Sequence, residues 1–421
     1  MRAKKFVYRA VIATILLALL LSDVPVNALS ALRTAEKRSP RASGQSSAAM
    51  SRTTADHVIT AEPDLVSVEY AFQKPFVERA EGYDRVTVPG LHNYGMPGAP
   101  VLPFETARIL LPAGTDIEHI KVIADDKIAL EGTYIIEPGQ EPRPTDSDPI
   151  YEETPPDPAI YRSEEPYPHE LYSQVSVQSL TGYTILFLRL YPVQYIPITG
   201  KIFYHENLEV RVTTASKTTA PQRNMLRATP GDAARIREIV DNPETINTYG
   251  DAGKSTRAPR ASIVNPADPY DYILITSDLL SSSFQPLVDW KATKGLNAAI
   301  FTTENIYANY SGTDHPDKIR NFIIDAYTTW ASTDHPLEYV ALGGDDEIIP
   351  VRYLYEPGSG SSSDGGWMPS DMYYAGLDGN WDADGDGLYG ESAGSGSEGE
   401  ECDFLAEVYV GRMSVDTTTE A

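Results

Sequence analysis

The sequence predicts a multidomain protein in which an all-β, sandwich-like region is followed by an α/β domain with a parallel sheet and helices on both faces. Three observations favour this fold class. The chain has 421 residues, enough for about two or three domains with cores of their own. Residues 64–214 carry short alternating or β-branched apolar runs separated by turn residues. From residue 269 onward, short apolar strands alternate with helical patterns.

The balance of charge argues against several classes of function. The chain has 34 basic and 60 acidic side chains and a net charge of -26, which argues against nucleic acid as a partner. One cysteine, Cys402, permits no internal disulfide, and seven scattered histidines show no zinc-ligand spacing. Residues 341–421 hold 18 acidic and two basic side chains. Such a density favours a bound cation, with a solvated acidic surface as the alternative.

The N-terminus predicts a signal peptide at residues 1–28. Four basic residues precede the apolar run 10–21, and Val26, Asn27 and Ala28 provide the small residues of a cleavage site. This run is shorter than the ~20 residues that cross a bilayer, so we expect export and no membrane span. Residues 29–60 are rich in Ser, Ala, Thr and Arg and predict a flexible leader.

Residues 61–215 predict the β-rich domain. Its expected strands centre on residues 65–68, 85–88, 107–110, 120–123, 134–136, 185–190 and 208–212. Nine prolines between Pro138 and Pro168 predict an extended surface loop within it, because proline lacks the N–H that a central strand needs.

Residues 216–268 have the Gly, Pro, Ser and Thr content of an exposed linker or activation region. Proteolytic processing there is one interpretation, and ordinary linker arginines are the other. The candidate cleavage points are Arg223, Arg227, Arg257 and Arg260.

Residues 269–421 predict the α/β domain. Expected strands lie at 272–275, 298–301 and 339–342, with one helix capped by Ser281–Ser283 and another beginning near Pro316. We expect the first helix to turn Phe284, Leu287, Val288 and Trp290 inward and the second to bury Ile319, Phe322, Ile323, Ala326, Tyr327 and Trp330. Because chemistry in parallel sheets lies at the carboxyl ends of strands, the segments 277–278 and 343–346 are the places to search.

A set of motifs in this domain resembles the first half of a gingipain-type cysteine peptidase domain. The motifs are Leu342-Gly343-Gly344-Asp345-Asp346-Glu347-Ile348-Ile349-Pro350, Pro369-Ser370-Asp371-Met372-Tyr373-Tyr374 and Glu407-Val408-Tyr409-Val410-Gly411-Arg412-Met413-Ser414. Residues 97–103, Pro-Gly-Ala-Pro-Val-Leu-Pro, are similar to part of the family's propeptide. The resemblance implies a caspase-like α/β fold, here incomplete, preceded by a β-sandwich propeptide that contacts the catalytic domain, and protein or peptide substrates.

The resemblance places the catalytic His and Cys beyond the Gly-Arg segment, and hence beyond Ala421. No histidine follows His335, and Cys402 lies among carboxylates that disfavour a thiolate. We therefore expect no catalytic residue in this chain, an inactive fragment of a longer product, and helix-capping or loop roles for Ser277, His315 and His335.

Residues 378–387 predict a calcium loop. Asp382, Asp384, Asp386 and Gly387 fit positions 1, 3, 5 and 6 of an EF-hand, although position 12 is Ala393. The resemblance implies additional ligands at Asp345 and Glu407. We expect a structural calcium ion, with a merely solvated acidic loop as the alternative. The full set of expected ligands is Asp345, Asp378, Asp382, Asp384, Asp386 and Glu407.

The functional hypothesis is the N-terminal portion of a secreted, calcium-stabilised cysteine endopeptidase zymogen. Two alternatives stay open at this point. One is a non-catalytic calcium-binding secreted scaffold, and the other is a propeptide-type inhibitor formed by residues 61–215.

Overall fold

The computed structural model describes residues 65–80, 82–141, 153–217, 225–250, 262–356, 366–383, 385–391 and 404–421. Several expectations lie outside these residues. They are the signal peptide at 1–28, the leader at 29–60, the arginines 223, 257 and 260, the ligand Asp384, and Cys402.

The chain divides into two compact units. Among the described residues, the first comprises those within 65–106, 119–173 and 189–213, and the second comprises those within 107–118, 174–188 and 214–421. The second unit therefore unites two segments of the β-rich region with the α/β region. The domain limits drawn from the sequence stay a prediction.

The β-rich region contains strands that we number β1 to β12. Their bounds are β1 Leu65–Ala71, β2 Phe76–Ala80, β3 Tyr83–Thr87, β4 His92–Tyr94, β5 Leu102–Leu110, β6 Thr115–Ala124, β7 Ile128–Ala129, β8 Tyr172–Leu180, β9 Tyr183–Leu190, β10 Val193–Ile196, β11 Lys201–Tyr204 and β12 Asn207–Ser216. They form sheets with the strand orders β1-β12-β6, β10-β11-β7, β2-β3 and β4-β5-β9-β8.

The first unit has an apolar core of its own. It is built from alternating strand residues such as Val86, Leu102, Val193 and Tyr195, whose side chains are fully or almost fully buried. The expected strand at 134–136 is wrong: Ile136 makes only an isolated bridge with Asp84. The proline-rich segment contains one short helix, α1 (Pro158–Tyr161), among its described residues.

Along the chain, a helical segment separates the β-rich region from the α/β region. Helix α2 (Pro230–Ile239) begins after its N-cap Thr229, whose side chain accepts a hydrogen bond from Asp232 N, and a 3₁₀ helix follows at Pro243–Thr248. Thr-Pro at the cap and first position is a strong helix-start signal.

The α/β region is built on a four-stranded parallel sheet. Its strands are β13 Tyr272–Thr276, β14 Ala298–Thr302, β15 Tyr339–Gly343 and β18 Tyr409–Met413, in the order β14-β13-β15-β18. A hairpin of β16 (Arg352–Glu356) and β17 (Gly366–Ser370) is inserted before β18. The helices are α3 Asp278–Thr293, α4 Thr303–Asn309, α5 His315–Thr329 and α6 Met372–Ala375.

Helices cover both faces of this sheet. Ile273 and Ile275 of β13 belong to the same core as Ile319 and Phe322 of α5. The alternate residues of β13, Tyr272 and Leu274, pack with Leu280, Phe284 and Val288 of α3. Every residue of β13 is buried, as expected for a strand covered on both sides.

Two expectations for α3 are wrong. The helix begins at Asp278 with Ser277 as its N-cap, so Ser281–Ser283 lie inside it. Trp290 faces outward and is 51% exposed. By contrast, the inward face predicted for α5 is confirmed, since Ile319, Phe322 and Tyr327 are fully buried.

Among the described residues, no helix combines the length and apolarity of a bilayer span.

Candidate functional site

The carboxyl end of β13 leads directly into α3 through Ser277. The Ser277 Oγ accepts a hydrogen bond from Leu280 N at 3.4 Å, and the next amide, Asp278 N, donates to the Glu304 carboxylate at 2.9 Å. The Ser277 hydroxyl therefore caps a helix, as the sequence predicts.

The carboxyl end of β15 leads into a tight turn that begins with two glycines. A methyl group on Gly343 would lie 2.6 Å from the Phe284 ring, and one on Gly344 would lie 2.6 Å from the Ile348 side chain. Asp345 Oδ1 accepts from Glu347 N at 3.1 Å, which closes the turn locally. Hydrogen atoms at both glycines are thus required for the turn to pack against its surroundings.

Arg412, on β18, fastens this turn from the neighbouring strand. Its Nε and Nη2 donate to the two carboxylate oxygens of Asp371 at 2.8 and 2.7 Å. Its Nη1 donates to the carbonyls of Gly344, Asp345 and Ile349 at 2.9, 3.1 and 2.7 Å. Sequence reasoning did not assign Arg412 this role. The available signal was its position as one of only two basic residues among the acids of 341–421.

Glu407 lies at the other end of the sheet. It is 3% exposed, and its two oxygens accept from Thr181 N at 3.3 Å and Leu377 N at 2.7 Å. Glu407 precedes β18 whereas Asp345 follows β15, and these strands are parallel. Their length alone separates the two ends by roughly 15 Å.

This separation decides whether Asp345 and Glu407 can share an ion. Calcium ligands lie within about 2.6 Å of the metal, so two ligands of one ion lie at most about 5 Å apart. The structure therefore does not bring Asp345 to the same ion as Glu407. It does bring Glu407 to the start of the acidic loop, because Leu377 directly precedes Asp378.

The described part of the acidic loop is folded by its own carboxylates. Asp382 Oδ1 accepts from Gly387 N at 3.3 Å, and Asp386 Oδ1 accepts from Leu388 N at 2.7 Å. Gly385 and Gly387 have φ values of 78° and 86°, which favour glycine. The carboxylate chemistry fits a hard cation. Among the described residues, however, no three Asp, Glu, His or Cys side chains form a metal-ligating group.

Two buried arginines contact this loop or the residues that flank it. Arg320, from α5, donates to the carbonyls of Gly376 and Gly379 at 2.7 and 3.0 Å. Arg352, from β16, makes a bidentate pair with Asp314 at 2.7 and 2.8 Å and lies 3.8 Å from the Tyr389 ring centroid. The sequence analysis predicted neither of these contacts.

These arginines also shape the local electrostatics. Both guanidinium groups stack on Tyr373, whose pKa is raised to about 12 because burial outweighs the opposing effect of the two cations. Burial alone would raise the pKa of Asp314, but hydrogen bonds from Arg352 and Asp317 N outweigh it and the pKa is lowered. Asp314 is therefore held as a carboxylate.

The two histidines of the α/β region make structural contacts. His315 begins α5 and stacks on Tyr307 with ring centroids 3.9 Å apart. His335 Nδ1 lies 3.0 Å from Asp271 Oδ2, in the loops that precede β13 and β15. The expectation of a helix-start or loop position is confirmed for both.

Comparison with protein families assigns the two regions of the chain. Residues 265–421 match the model of peptidase family C25, and residues 61–232 match the model of the C25 propeptide. The two regions are thus similar to the propeptide and the peptidase domain of family C25. The gingipain-type resemblance carried by the motifs is confirmed.

Three proteins from Porphyromonas gingivalis are similar to parts of this chain. Lys-gingipain HG66 is 21% identical over 301 residues, which cover 70% of this chain and 16% of the relative. The complex of the RgpB pro- and mature domains is 16% identical and covers 46% of this chain and 98% of that chain, with a TM-score of 0.37. The zymogen structure of gingipain K is 20% identical, with 39% and 95% covered and a TM-score of 0.34. The chain spans about a sixth of the length of the curated relatives that it matches.

Proposed function

We propose that this chain is the N-terminal portion of a cysteine endopeptidase zymogen, in which a propeptide precedes the first part of the catalytic domain. The observation that carries the proposal is the succession of the two C25 models along one chain. The parallel sheet of the second region supports it. Ser277 directly follows β13 and Gly343 ends the adjacent strand β15, so both lie at the carboxyl edge of the sheet, where α/β proteins place their chemistry.

The proposed chemistry is peptide-bond hydrolysis by a thiolate through an acyl-enzyme. The nucleophile and its imidazole partner would come from residues that follow the Gly411-Arg412 segment. Within this chain, the turn after β15 and its support by Arg412 would form one wall of the site. We propose a fold of the caspase-like kind for this domain on the same grounds.

Activity of the complete gene product tests the proposal. Purified product should hydrolyse a denatured protein such as casein, and alkylation of thiols with iodoacetamide should abolish hydrolysis. Activity that survives alkylation, or no hydrolysis after removal of the propeptide region, would contradict a cysteine peptidase. The second result would favour the alternative of a non-catalytic scaffold or a propeptide-type inhibitor.

We further propose a structural calcium ion in the acidic loop 378–387. The supporting features are the carboxylates of Asp378, Asp382 and Asp386, the glycine-bearing turn, and the approach of Glu407 to the start of the loop. Asp384 would complete the alternate spacing. Because Asp345 lies at the other end of the sheet, its expected ligand role would require a separate ion.

Calorimetric titration with CaCl2 tests the loop directly. Asp382→Asn should weaken calcium binding at least tenfold, because it removes a charged oxygen from the first ligand position. Asp126→Asn is the matched control, because it removes one charge from an exposed position far from the loop in the sequence. It should leave calcium binding unchanged. Equal calcium uptake by both variants would remove Asp382 from the site.

We also propose that the protein is exported by its N-terminal signal. The basic residues and the apolar run 10–21 support this proposal. In a secreting bacterial host, N-terminal sequencing of the exported product should show that it begins after Ala28. A product that stays inside the cell with Met1 or Arg2 as its first residue would contradict export.

A further inference from the structure

Two non-glycine residues in the described part of the chain have a positive φ, Thr181 at 50° and Ala228 at 51°. The left-handed region costs an ordinary residue about 1 kcal/mol or more, so it persists only where surrounding contacts enforce it. Thr181 lies in the turn between β8 and β9, and Ala228 lies just before α2. Thr181 contacts the buried carboxylate of Glu407, and Ala228 directly follows the buried Arg227.

The first contact joins Thr181 to Glu407. Thr181 N donates to Glu407 Oε1 at 3.3 Å, while Leu377 N donates to the other oxygen. A carboxylate as deeply buried as Glu407 depends on such hydrogen bonds, because its transfer from water is otherwise costly. The turn of the β8–β9 hairpin thus supplies one of the amides that stabilise a buried charge immediately before β18.

The second contact joins Arg227 to the loop before β15. Arg227 and Asp232 are 8% and 7% exposed and form a bidentate pair at 2.6 and 3.0 Å. The remaining donor, Arg227 Nη1, binds the carbonyl of Leu337 at 2.7 Å, and the guanidinium lies 4.5 Å from the Tyr327 ring centroid. All of these partners apart from Asp232 belong to the region matched by the peptidase model.

The two contacts form one packed unit. A methyl group on Gly182 would lie 2.4 Å from Leu226 N and 2.5 Å from Leu226 Cα, so the hairpin turn touches the backbone of the segment that carries Arg227. The neighbouring Met225 is almost fully buried in the core that contains Leu337 and Val340. We call residues 180–183 and 225–232 together the clasp.

The clasp lies at a defined end of the sheet. Leu337 precedes β15 by two residues, and Glu407 precedes β18 by two residues. Because the two strands are parallel, both contacts lie at the amino-terminal edge. The turn that follows Gly343, fastened by Arg412, lies at the opposite, carboxyl-terminal edge.

We propose that the clasp is an anchoring site through which the end of the C25 propeptide holds the amino-terminal edge of the peptidase sheet, away from the edge where α/β enzymes react. The inference rests on the proposed division into propeptide and peptidase. It also removes Arg227 from the candidate processing sites. Its guanidinium is buried in an ion pair, and the following residue has a left-handed backbone that does not fit the extended conformation a protease binds.

Hydrogen exchange on the purified chain tests the clasp. Asp232→Asn leaves Arg227 buried without its charged partner. We expect exchange at the amides of Thr181, Leu377 and Tyr409 to accelerate at least tenfold. The amides of Asp345 and Ile349, which are bonded at the carboxyl edge, should keep their rates. Glu137→Gln, which removes one charge from the exposed bidentate pair with Arg85, is the matched control and should change none of these rates.

Trypsin provides the second measurement. The Arg227–Ala228 bond should resist cleavage in the native wild-type chain and become at least tenfold more sensitive in Asp232→Asn. If Asp232→Asn does not fold, Glu407→Gln should accelerate exchange at Thr181 and Leu377 by the same mechanism. Uniform acceleration at both edges, or ready cleavage after Arg227 in the wild type, would overturn the clasp. Neither readout needs peptidase activity, so an inactive full-length product would refute the proposed function without affecting this result.

Discussion

The guanidinium of Arg412 donates to five oxygen atoms, two from Asp371 and three from the carbonyls of Gly344, Asp345 and Ile349. A planar guanidinium group can donate two parallel hydrogen bonds to a carboxylate while its third nitrogen donates to the carbonyls of a turn. Arg412 therefore links β18, the residue before α6 and the turn after β15 into one rigid unit. Under the proposed function, this unit would form one wall of the catalytic site.

We predict that Arg412→Lys lowers the free energy of unfolding by about 2 kcal/mol, because lysine keeps the charge but cannot make the bidentate bond and reach the turn. Urea unfolding measures the loss, and exchange at the amides of Asp345 and Ile349 should accelerate with it. Arg85→Lys, at an exposed bidentate pair, is the control and should unfold like the wild type. Equal stability of the two variants would show that Arg412 does not organise the turn.

Asp314 gives the molecule a specific dependence on pH. Its pKa is lowered in the folded state by hydrogen bonds from Arg352 and Asp317 N, which outweigh the effect of burial. A lowered folded pKa means that the stabilisation is present above the ordinary carboxyl pKa of about 3.9 and is lost as pH falls through the folded value.

The expected result is a pH-dependent difference between Asp314→Asn and the wild type. The variant should be less stable at pH 7, because it loses the ion pair while asparagine can still cap α5. The difference should shrink at pH 3, which lies below the ordinary carboxyl pKa, because part of the stabilisation is already lost there. Urea midpoints at the two pH values measure it. A difference that is the same at both values would show that the charge of Asp314 contributes nothing.

At the scale of elements, the end of β15 is defined by its contact with α3. A methyl group on Gly343 would lie 2.6 Å from the Phe284 ring, which is buried where α3 packs on Tyr272 and Leu274 of β13. Gly343→Ala should therefore destabilise the protein by about 1–3 kcal/mol, because the ring must move in a close-packed interior. Thermal unfolding checks this prediction.

Gly411→Ala on the neighbouring strand β18 is the matched control. Among the described residues, and apart from its two chain neighbours, no atom lies within 4 Å of its added methyl group. We expect a change within about 0.5 kcal/mol, since a strand glycine without steric conflict gains from the restricted backbone of alanine. If both alanine variants behaved alike, the packing of β15 against α3 would not be as tight as the structure shows.

Periodicity predicted the elements that have one unambiguous pattern. The apolar runs of β13 and β15 and the inward face of α5 are correct because burial on two faces, or along one helical stripe, leaves a clear signature. The start of α3 was wrong because Ser277 and Ser281 are both acceptable caps. The choice depends on Glu304, whose carboxylate binds Asp278 N from another helix, and a tertiary contact of this kind leaves no local pattern.

The contacts of the candidate site were harder to predict from the sequence. Family resemblance implied that Asp345 and Glu407 are ligands, but strand direction already separates them, since one follows β15 and the other precedes the parallel strand β18. The clasp and the arginine contacts could not be predicted, because they join residues far apart in the sequence. Thr181 and Glu407, for example, are separated by 226 positions.

At the scale of the whole molecule, acidic charge is the dominant feature. The net charge is -26, and both basic residues of 341–421, Arg352 and Arg412, are already engaged with carboxylates. Repulsion among the remaining acids destabilises the folded chain. Added monovalent salt should raise the unfolding temperature by screening this repulsion, and a specifically bound calcium ion should raise it further.

Comparing ions at equal ionic strength separates these two effects. Calcium at 100 times its dissociation constant stabilises by about 2.7 kcal/mol, which corresponds to a rise of about 5 °C or more in unfolding temperature for domains of this size. We therefore expect unfolding in CaCl2 to occur above that in NaCl of the same ionic strength, with MgCl2 closer to NaCl because magnesium gives up its water reluctantly. In Asp382→Asn, calcium should no longer raise the unfolding temperature above that in NaCl, whereas NaCl should still raise it as in the wild type. Coincident curves in CaCl2 and NaCl would mean that the acids act only as a diffuse charge, and that the loop is a solvated surface.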